Sequence, residues 1–202
     1  GSSSVYMQIG EAKSEHRLLF SGDIKYEKSW LFDAATVRFP RADTLVIEST
    51  YGGPQDFQPN RVDATQEIQD LIKLAVSRSG KVFCPVFAVG RSQEVMLAID
   101  QLFKSGDVTP VTVWLDGMIS EATAIHASHP DFLNRDLRRQ VLKGGQENPF
   151  NSPWFKQVDS REQRESIIND PSPCIVLATS GMMTGGPILE FFKNWAPELD
   201  NT

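Results

Sequence analysis

The alternation of strand-like and helix-like segments constrains the fold of this chain more than any other feature of its sequence. Apolar runs are each followed by a segment with the sequence pattern of a helix. These runs lie at residues 44–47, 82–87, 111–115 and 175–178. Strands that are apolar throughout and alternate with helices are buried on both faces. The pattern predicts an α/β fold in which helices flank a parallel sheet over residues 44–202.

The N-terminal part of the chain has a different pattern. Two short apolar runs, Val5–Ile9 and Arg17–Phe20, are joined by a polar turn at Gly10–Glu15, and this predicts a hairpin. Glycine and proline follow the run at residues 44–47 and indicate a sharp change of direction. We therefore predict a domain junction near Thr50, which separates residues 1–49 from residues 50–202.

Two segments carry the sequence pattern of a helix start. Asp63, followed three residues later by Gln66, forms a capping box before an apolar stripe, and Gly80 is placed to end that helix. Ser160 and Gln163 have the same spacing before a more polar helix. Both pairs predict that the first residue caps its helix.

Composition and charge narrow the possible functions. Twenty basic residues against 26 acidic ones give a net charge of −6, which opposes bulk electrostatic binding of nucleic acid but permits a local basic cleft. Cys84 and Cys174 lie in apolar runs, which is typical of core residues in a reducing compartment. No signal peptide and no apolar run of the roughly 18 residues needed to span a membrane is found. We expect a cytoplasmic protein without a membrane partner.

Polar residues follow several apolar strands, where parallel sheets bind their ligands. Four strand ends, at residues 48–51, 87–91, 116–117 and 179–181, are expected to form one cleft. Asp23 follows a strand, where its side chain could bind a metal or hydrogen-bond to the backbone of its own turn. The tripeptide Ser21-Gly22-Asp23 alone favours the turn. Glu48 is equally compatible with proton transfer, with a supporting role beside a site and with a local cap.

The remaining candidate residues are ambiguous from spacing alone. Arg91 at a helix start could hold a phosphate, but a structural ion pair with Glu94 one turn later is favoured. Ser180 lies in a glycine-rich loop that could present backbone N–H groups to a phosphate or could simply join a strand to a helix. Two neighbouring histidines, His126 and His129, are too few to form a zinc site.

Five motifs, taken together and in order, give a more specific result. The sequence resembles the beta-CASP branch of the metallo-β-lactamase superfamily, and within it archaeal homologues of the cleavage and polyadenylation specificity factor endonuclease. The motifs are Ser21-Gly22-Asp23, residues 47–52, residues 85–94, residues 115–118 and residues 178–187. The resemblance implies a beta-CASP domain at residues 50–202 and a partial metallo-β-lactamase segment at residues 1–49.

This resemblance also implies an activity and roles for individual residues. The family consists of zinc-dependent ribonucleases in which two zinc ions activate the attacking hydroxide. Asp23 matches the aspartate that bridges the two metals, and Glu48 matches the acidic residue that assists proton transfer beside them. Tyr51, Arg91 and Ser180 fall in motifs that face the cleft between the two domains, and we predict that they contact RNA.

The sequence lacks the family's His-x-His-x-Asp-His motif. We therefore expect a fragment of an enzyme of RNA turnover or mRNA 3′-end processing, which by itself binds no stable zinc pair and cleaves no RNA. A homodimer is compatible with the full-length parent. Two other functions remain open, namely a non-catalytic scaffold subunit of an RNA-processing complex and a nucleotide-binding module.

Overall fold

A computed structural model describes residues 2–11 and 14–202 of the chain as seven strands and six α-helices. The strands are β1 (Val5–Ile9), β2 (His16–Phe20), β3 (Thr44–Val46), β4 (Val82–Pro85), β5 (Thr112–Asp116), β6 (Phe155–Gln157) and β7 (Cys174–Ala178). The helices are α1 (Arg61–Ser77), α2 (Arg91–Ser105), α3 (Ile119–Ser128), α4 (Arg135–Lys143), α5 (Arg161–Asn169) and α6 (Ile188–Trp195).

Strands β1, β2 and β3 form a small N-terminal sheet in that order. β1 and β2 are antiparallel, so the predicted hairpin is confirmed, although its turn includes residues 12 and 13, outside the described residues. β3 runs parallel to β2, with Phe20 opposite Val46. The prediction that residues 44–47 belong to the same parallel sheet as the later strands is wrong. Short apolar runs do not specify a pairing partner, and β3 is exposed rather than buried between helices.

The central sheet has the strand order β4-β7-β5-β6, and all of its strands are parallel. β7 pairs with both β4 and β5, and every one of its five residues is buried. This arrangement confirms the predicted α/β fold with a parallel sheet between helices. Edge strand β6 was not predicted, because Phe155–Gln157 has only one apolar residue and is too short to show a period.

Two hydrophobic clusters lie on opposite faces of the central sheet. Alternate residues of β7 separate between them, with Ile175 and Leu177 facing the cluster that α1 to α4 cover. Cys174, Val176 and Ala178 face the cluster formed with α5 and α6. Burial raises the pKa of the Cys84 and Cys174 thiols to about 11, as expected for the core residues that the sequence predicted.

The helix caps only partly follow the sequence prediction. Asn60 caps α1, because its side-chain oxygen accepts a hydrogen bond from the Val62 N–H at 2.9 Å. Asp63 is therefore not the cap. It lies in the first turn, where its negative charge interacts favourably with the helix dipole. The cap at α5 is confirmed, since the Ser160 Oγ accepts from the Gln163 N–H at 3.1 Å. Among the described residues, no helix is both long and apolar enough to cross a membrane.

Candidate functional site

Parallel pairing of β2 with β3 brings Asp23 and Glu48 to the same edge of the N-terminal sheet. Both strands end in register, and the Ser21 N–H extends the pairing by donating to the Val46 carbonyl at 2.9 Å. The two segments that follow β2 and β3 therefore leave the sheet side by side. The structure thus places together the two carboxyl residues that the sequence analysis assigned to one site.

Ser21, which the sequence analysis did not single out, connects the two segments. Its buried side chain accepts a hydrogen bond from the Glu48 N–H at 3.0 Å and donates to the Gly22 carbonyl at 2.6 Å. Gly22 has a φ of 60°, and a Cβ at this position would lie 2.6 Å from the Ser3 carbonyl oxygen. Only glycine fits there, so the turn that presents Asp23 is fixed by sterics as well as by hydrogen bonds.

The Glu48 carboxylate is anchored by backbone donors from both segments. One oxygen accepts from the Thr50 N–H at 2.9 Å, and the other lies 3.5 Å from the backbone nitrogen of Ile24, the residue that follows Asp23. Hydrogen bonding from Thr50, with a smaller contribution from Ile24, holds the pKa of Glu48 below its ordinary value. Asp23 is exposed, and its own N–H donates to the Ser2 Oγ at 2.7 Å.

We expect the Glu48 carboxyl group to titrate below the ordinary glutamate pKa. These hydrogen bonds are made to the charged form, so their contribution to stability is present above the unfolded-state pKa and is lost as the pH falls through the folded-state pKa. Side-chain carboxyl NMR shifts recorded during an acid titration measure this midpoint. A midpoint at or above 4.5, the ordinary value, would contradict the hydrogen-bonded geometry.

The described residues supply only part of a metal site. Asp23 offers an exposed carboxylate oxygen, which zinc accepts as a ligand, and Glu48 lies beside it. Within residues 2–11 and 14–202, no three histidine, cysteine, aspartate or glutamate side chains are grouped so that they could hold a metal ion. Zinc sites in proteins use three or four protein ligands, so these residues fit a zinc centre only as contributors to a larger ligand set.

Tyr51 and Arg91 line a common cavity of about 500 Å³. Ile24 lines it as well, so the cavity adjoins the loop that carries Asp23 and contacts Glu48. Ser180 does not line this cavity; its Oγ accepts from the Thr184 N–H at 3.2 Å and donates to the Gly185 carbonyl at 3.2 Å. The structure brings together two of the three residues that we predicted to contact RNA.

The cleft predicted from four strand ends is corrected in one respect. Segments 87–91, 116–117 and 179–181 do share the carboxyl edge of the central sheet, because β4 and β5 both flank β7 in register. Residues 48–51 instead follow β3 of the other sheet and reach the cavity through Tyr51. The four segments therefore do not end a single sheet.

Asp116, one of the predicted cleft residues, is buried in an ion pair. Its two carboxylate oxygens bind the Arg164 guanidinium at 2.6 and 3.0 Å, and Arg164 also lies 3.3 Å from Glu190. Hydrogen bonding to Asp116 is the main cause that raises the pKa of Arg164. Asp116 therefore fastens α5 and α6 to the sheet rather than facing a ligand. No local pattern predicts this pair, since its partners are 48 residues apart.

Comparison with known families identifies the class of this protein. Residues 92–202, more than half of the chain, match the Beta-Casp domain. The chain therefore belongs to the Beta-Casp domain family, which confirms the resemblance drawn from the five motifs.

The chain is also similar to full-length curated proteins over its whole length. It is 50% identical over 202 residues to the transcription termination factor FttA of Methanosarcina mazei. It is 46% identical to the protein of that name from Cenarchaeum symbiosum and 45% identical to the one from Methanothermobacter thermautotrophicus. All of this chain is covered in these matches, but it spans only 31% of the length of each relative.

Proposed function

We propose that this chain is part of a zinc-dependent ribonuclease, to which it contributes two carboxyl residues and one wall of the RNA cleft. The observation that supports the proposal most directly is the meeting of Asp23 and Glu48 at one sheet edge, beside the cavity lined by Tyr51 and Arg91. Membership of the Beta-Casp family and relatives named transcription termination factors are both consistent with RNA as the ligand.

The two carboxylates are suited to different tasks. Zinc, when bound, supplies a nucleophilic hydroxide and positive charge for phosphodiester hydrolysis. Asp23 is exposed on a rigid turn and can offer its carboxylate oxygens to a metal. Glu48 is held anionic by its backbone donors, so it can accept a hydrogen bond from water and orient it for proton transfer.

Tyr51 and Arg91 provide the other chemistry that an RNA cleft needs. The exposed Tyr51 ring can stack on a base, and the Arg91 guanidinium can pair with a backbone phosphate. Ser180 is included in this proposal as an RNA contact outside the shared cavity. A homodimer of the longer protein, and the use of the site in RNA turnover or 3′-end processing, also belong to the proposal.

Metal-dependent cleavage tests the proposal. A longer protein that contains this chain and the further length of its relatives should cleave single-stranded RNA with zinc and lose that activity in excess chelator. The 202-residue chain alone should show no zinc-dependent cleavage, because its described residues contain no group of three ligands. Cleavage that persists in chelator would refute the zinc mechanism. Stoichiometric zinc binding with cleavage by the chain alone would refute its assignment as an incomplete site.

A non-catalytic scaffold subunit is the alternative function, and one observation favours it. The absence of a three-ligand group within the described residues is also what a subunit without catalysis would show. The same assay separates the two functions. RNA binding by the longer protein with no cleavage under any metal condition would support the scaffold.

A further inference from the structure

Three cationic side chains converge on one carboxylate in the cavity that Tyr51 lines. Arg61 Nη1 lies 3.2 Å from Glu94 Oε1, and Lys25 Nζ lies 3.9 Å from the same oxygen. Arg91 Nη1 lies 3.1 Å from Glu94 Oε2, which confirms the local Arg91–Glu94 pair expected from the sequence. Lys25 and Arg61 come from distant parts of the chain, and the sequence analysis did not include them.

This cluster carries more positive charge than its carboxylate can neutralise. Glu94, whose side chain is only 12% exposed, faces three cations, and among the described residues the one other acidic residue lining the cavity is the exposed Glu27. Two carboxylates against three cations leave the cavity net positive in a chain whose net charge is −6. Burial is the main cause that lowers the pKa of Lys25; Glu94 opposes this shift, and the neighbouring Arg61 and Arg91 add to it.

Arg61 has donor capacity that the described residues do not use. Its Nε is buried and has no hydrogen-bond partner within residues 2–11 and 14–202, although its Nη1 binds Glu94. Buried donors are nearly always paired, so this nitrogen shows that the fold leaves part of the Arg61 guanidinium unsatisfied. Phosphate oxygens match the guanidinium fork as carboxylate oxygens do, so a phosphate can bind arginines that now pair with Glu94.

Aromatic rings border the same cations. Tyr26 and Tyr51 are 61% and 65% exposed, and Trp30 lines the cavity beside them. Exposed aromatic rings next to a positive groove are the combination that binds single-stranded nucleic acid, because unpaired bases stack on the rings while phosphates meet the cations. Paired bases inside a duplex cannot stack in this way.

A second cavity of about 910 Å³ shares Trp30 and Arg61 with this one but has a different electrostatic character. It is lined by as many acidic as basic residues, namely Lys28, Arg61, Lys104, Asp100, Asp136 and Glu147. Its charges are balanced, so it has no comparable attraction for a polyanion. The smaller cavity is therefore the better candidate for a phosphate.

We propose that Lys25, Arg61 and Arg91 form a subsite for a backbone phosphate of single-stranded RNA, with a neighbouring base stacked on Tyr26 or Tyr51. Glu94 occupies these cations in the free protein and competes with the phosphate for them. This inference rests on the proposed function, because it takes RNA as the ligand. Beyond that function, Lys25, Arg61 and Arg91 would hold the RNA strand, and the Glu94 carboxylate would limit the affinity for RNA.

Fluorescence anisotropy with a short fluorescein-labelled oligouridine RNA tests the subsite on this 202-residue chain at two salt concentrations. Lys25→Met should weaken binding roughly fivefold to tenfold and reduce the salt dependence by about one counterion. Lys193→Met is the matched control, because it makes the same charge change at an exposed position of α6, a helix that packs on the opposite face of the central sheet. Equal losses in both variants, or no loss in Lys25→Met, would overturn the proposal.

A variant that is expected to bind RNA more tightly provides a second test, because loss of folding cannot produce tighter binding. Glu94→Gln keeps the side-chain shape but removes the competing charge, so RNA binding should tighten roughly threefold or more and become more salt-dependent. Unchanged or weaker binding by this variant would overturn the role of Glu94. If the unsubstituted chain and the longer protein both fail to bind RNA, the proposed function itself fails. If they bind RNA but Lys25→Met, Lys193→Met and Glu94→Gln behave alike, only the proposed subsite is refuted.

Discussion

Asp23→Ala in a longer protein that contains this chain is expected to abolish RNA cleavage, with a rate loss of more than about a thousandfold. The turn that carries Asp23 is fixed by Gly22 and by the buried Ser21 side chain, so the carboxylate is presented in one place. In the proposed function Asp23 supplies a metal ligand, and its loss is expected to remove several kcal/mol of transition-state stabilisation. Single-turnover cleavage of a labelled RNA measures the effect.

Two further variants make this result interpretable. Asp33→Ala removes another exposed aspartate from the N-terminal part of the chain and should leave cleavage unchanged. Glu48→Gln, which alters the carboxylate beside the segment that carries Asp23, should lower the cleavage rate roughly ten- to a hundredfold. Zinc content measured alongside cleavage should fall in Asp23→Ala but not in Asp33→Ala. Full activity of Asp23→Ala, with circular dichroism unchanged, would refute the assignment of Asp23.

The second large effect concerns stability rather than catalysis. Asp116→Ala is expected to lower the free energy of unfolding by about 3–5 kcal/mol, because it leaves Arg164 partly buried without its bidentate partner. Asp116 is only 2% exposed and joins the end of β5 to α5, while Arg164 also reaches Glu190 on α6. The loss should appear as a lower midpoint in urea-induced unfolding.

An exposed pair on the same helix provides the matched control. Glu165→Ala also removes a carboxylate from an arginine, but the Arg161–Glu165 pair is exposed and should contribute less than about 1 kcal/mol. Replacing both buried partners, in Asp116→Leu with Arg164→Met, should recover much of the lost stability. No uncompensated buried charge then remains, because Glu190, which also pairs with Arg164, is 42% exposed. Equal effects of Asp116→Ala and Glu165→Ala would show that burial does not determine the strength of this pair.

Burial and hydrogen bonding decide which carboxylates of this chain are available for chemistry. Asp116 and Glu48 both follow strands, and both were predicted near a ligand cleft from the same sequence pattern. Asp116 is fully occupied by an arginine, whereas Glu48 is half-buried beside the exposed Asp23 and accepts backbone N–H groups. Position at a strand end alone does not distinguish these two environments.

Local sequence patterns were sufficient for most of the secondary structure and for the family. Helical periodicity, helix-start residues and apolar runs predicted helices after the strands, and the strands of the central sheet except β6. The ordered motifs predicted the Beta-Casp family and singled out Asp23 and Glu48 as partners. The Arg91–Glu94 pair was also predictable, because helix geometry alone brings residues three positions apart together.

Only the tertiary structure decided the contacts between distant segments. It showed that β3 pairs with β2, that Ser21 fastens Glu48, and that Lys25 and Arg61 join Arg91 around Glu94. Periodicity along a chain reports which residues are buried, but it carries no information about which distant strand supplies the hydrogen bonds. The sequence by itself therefore determined the elements and the candidate residues. Long-range pairing determined which of those residues share a cavity and which distant cations meet Arg91 at Glu94.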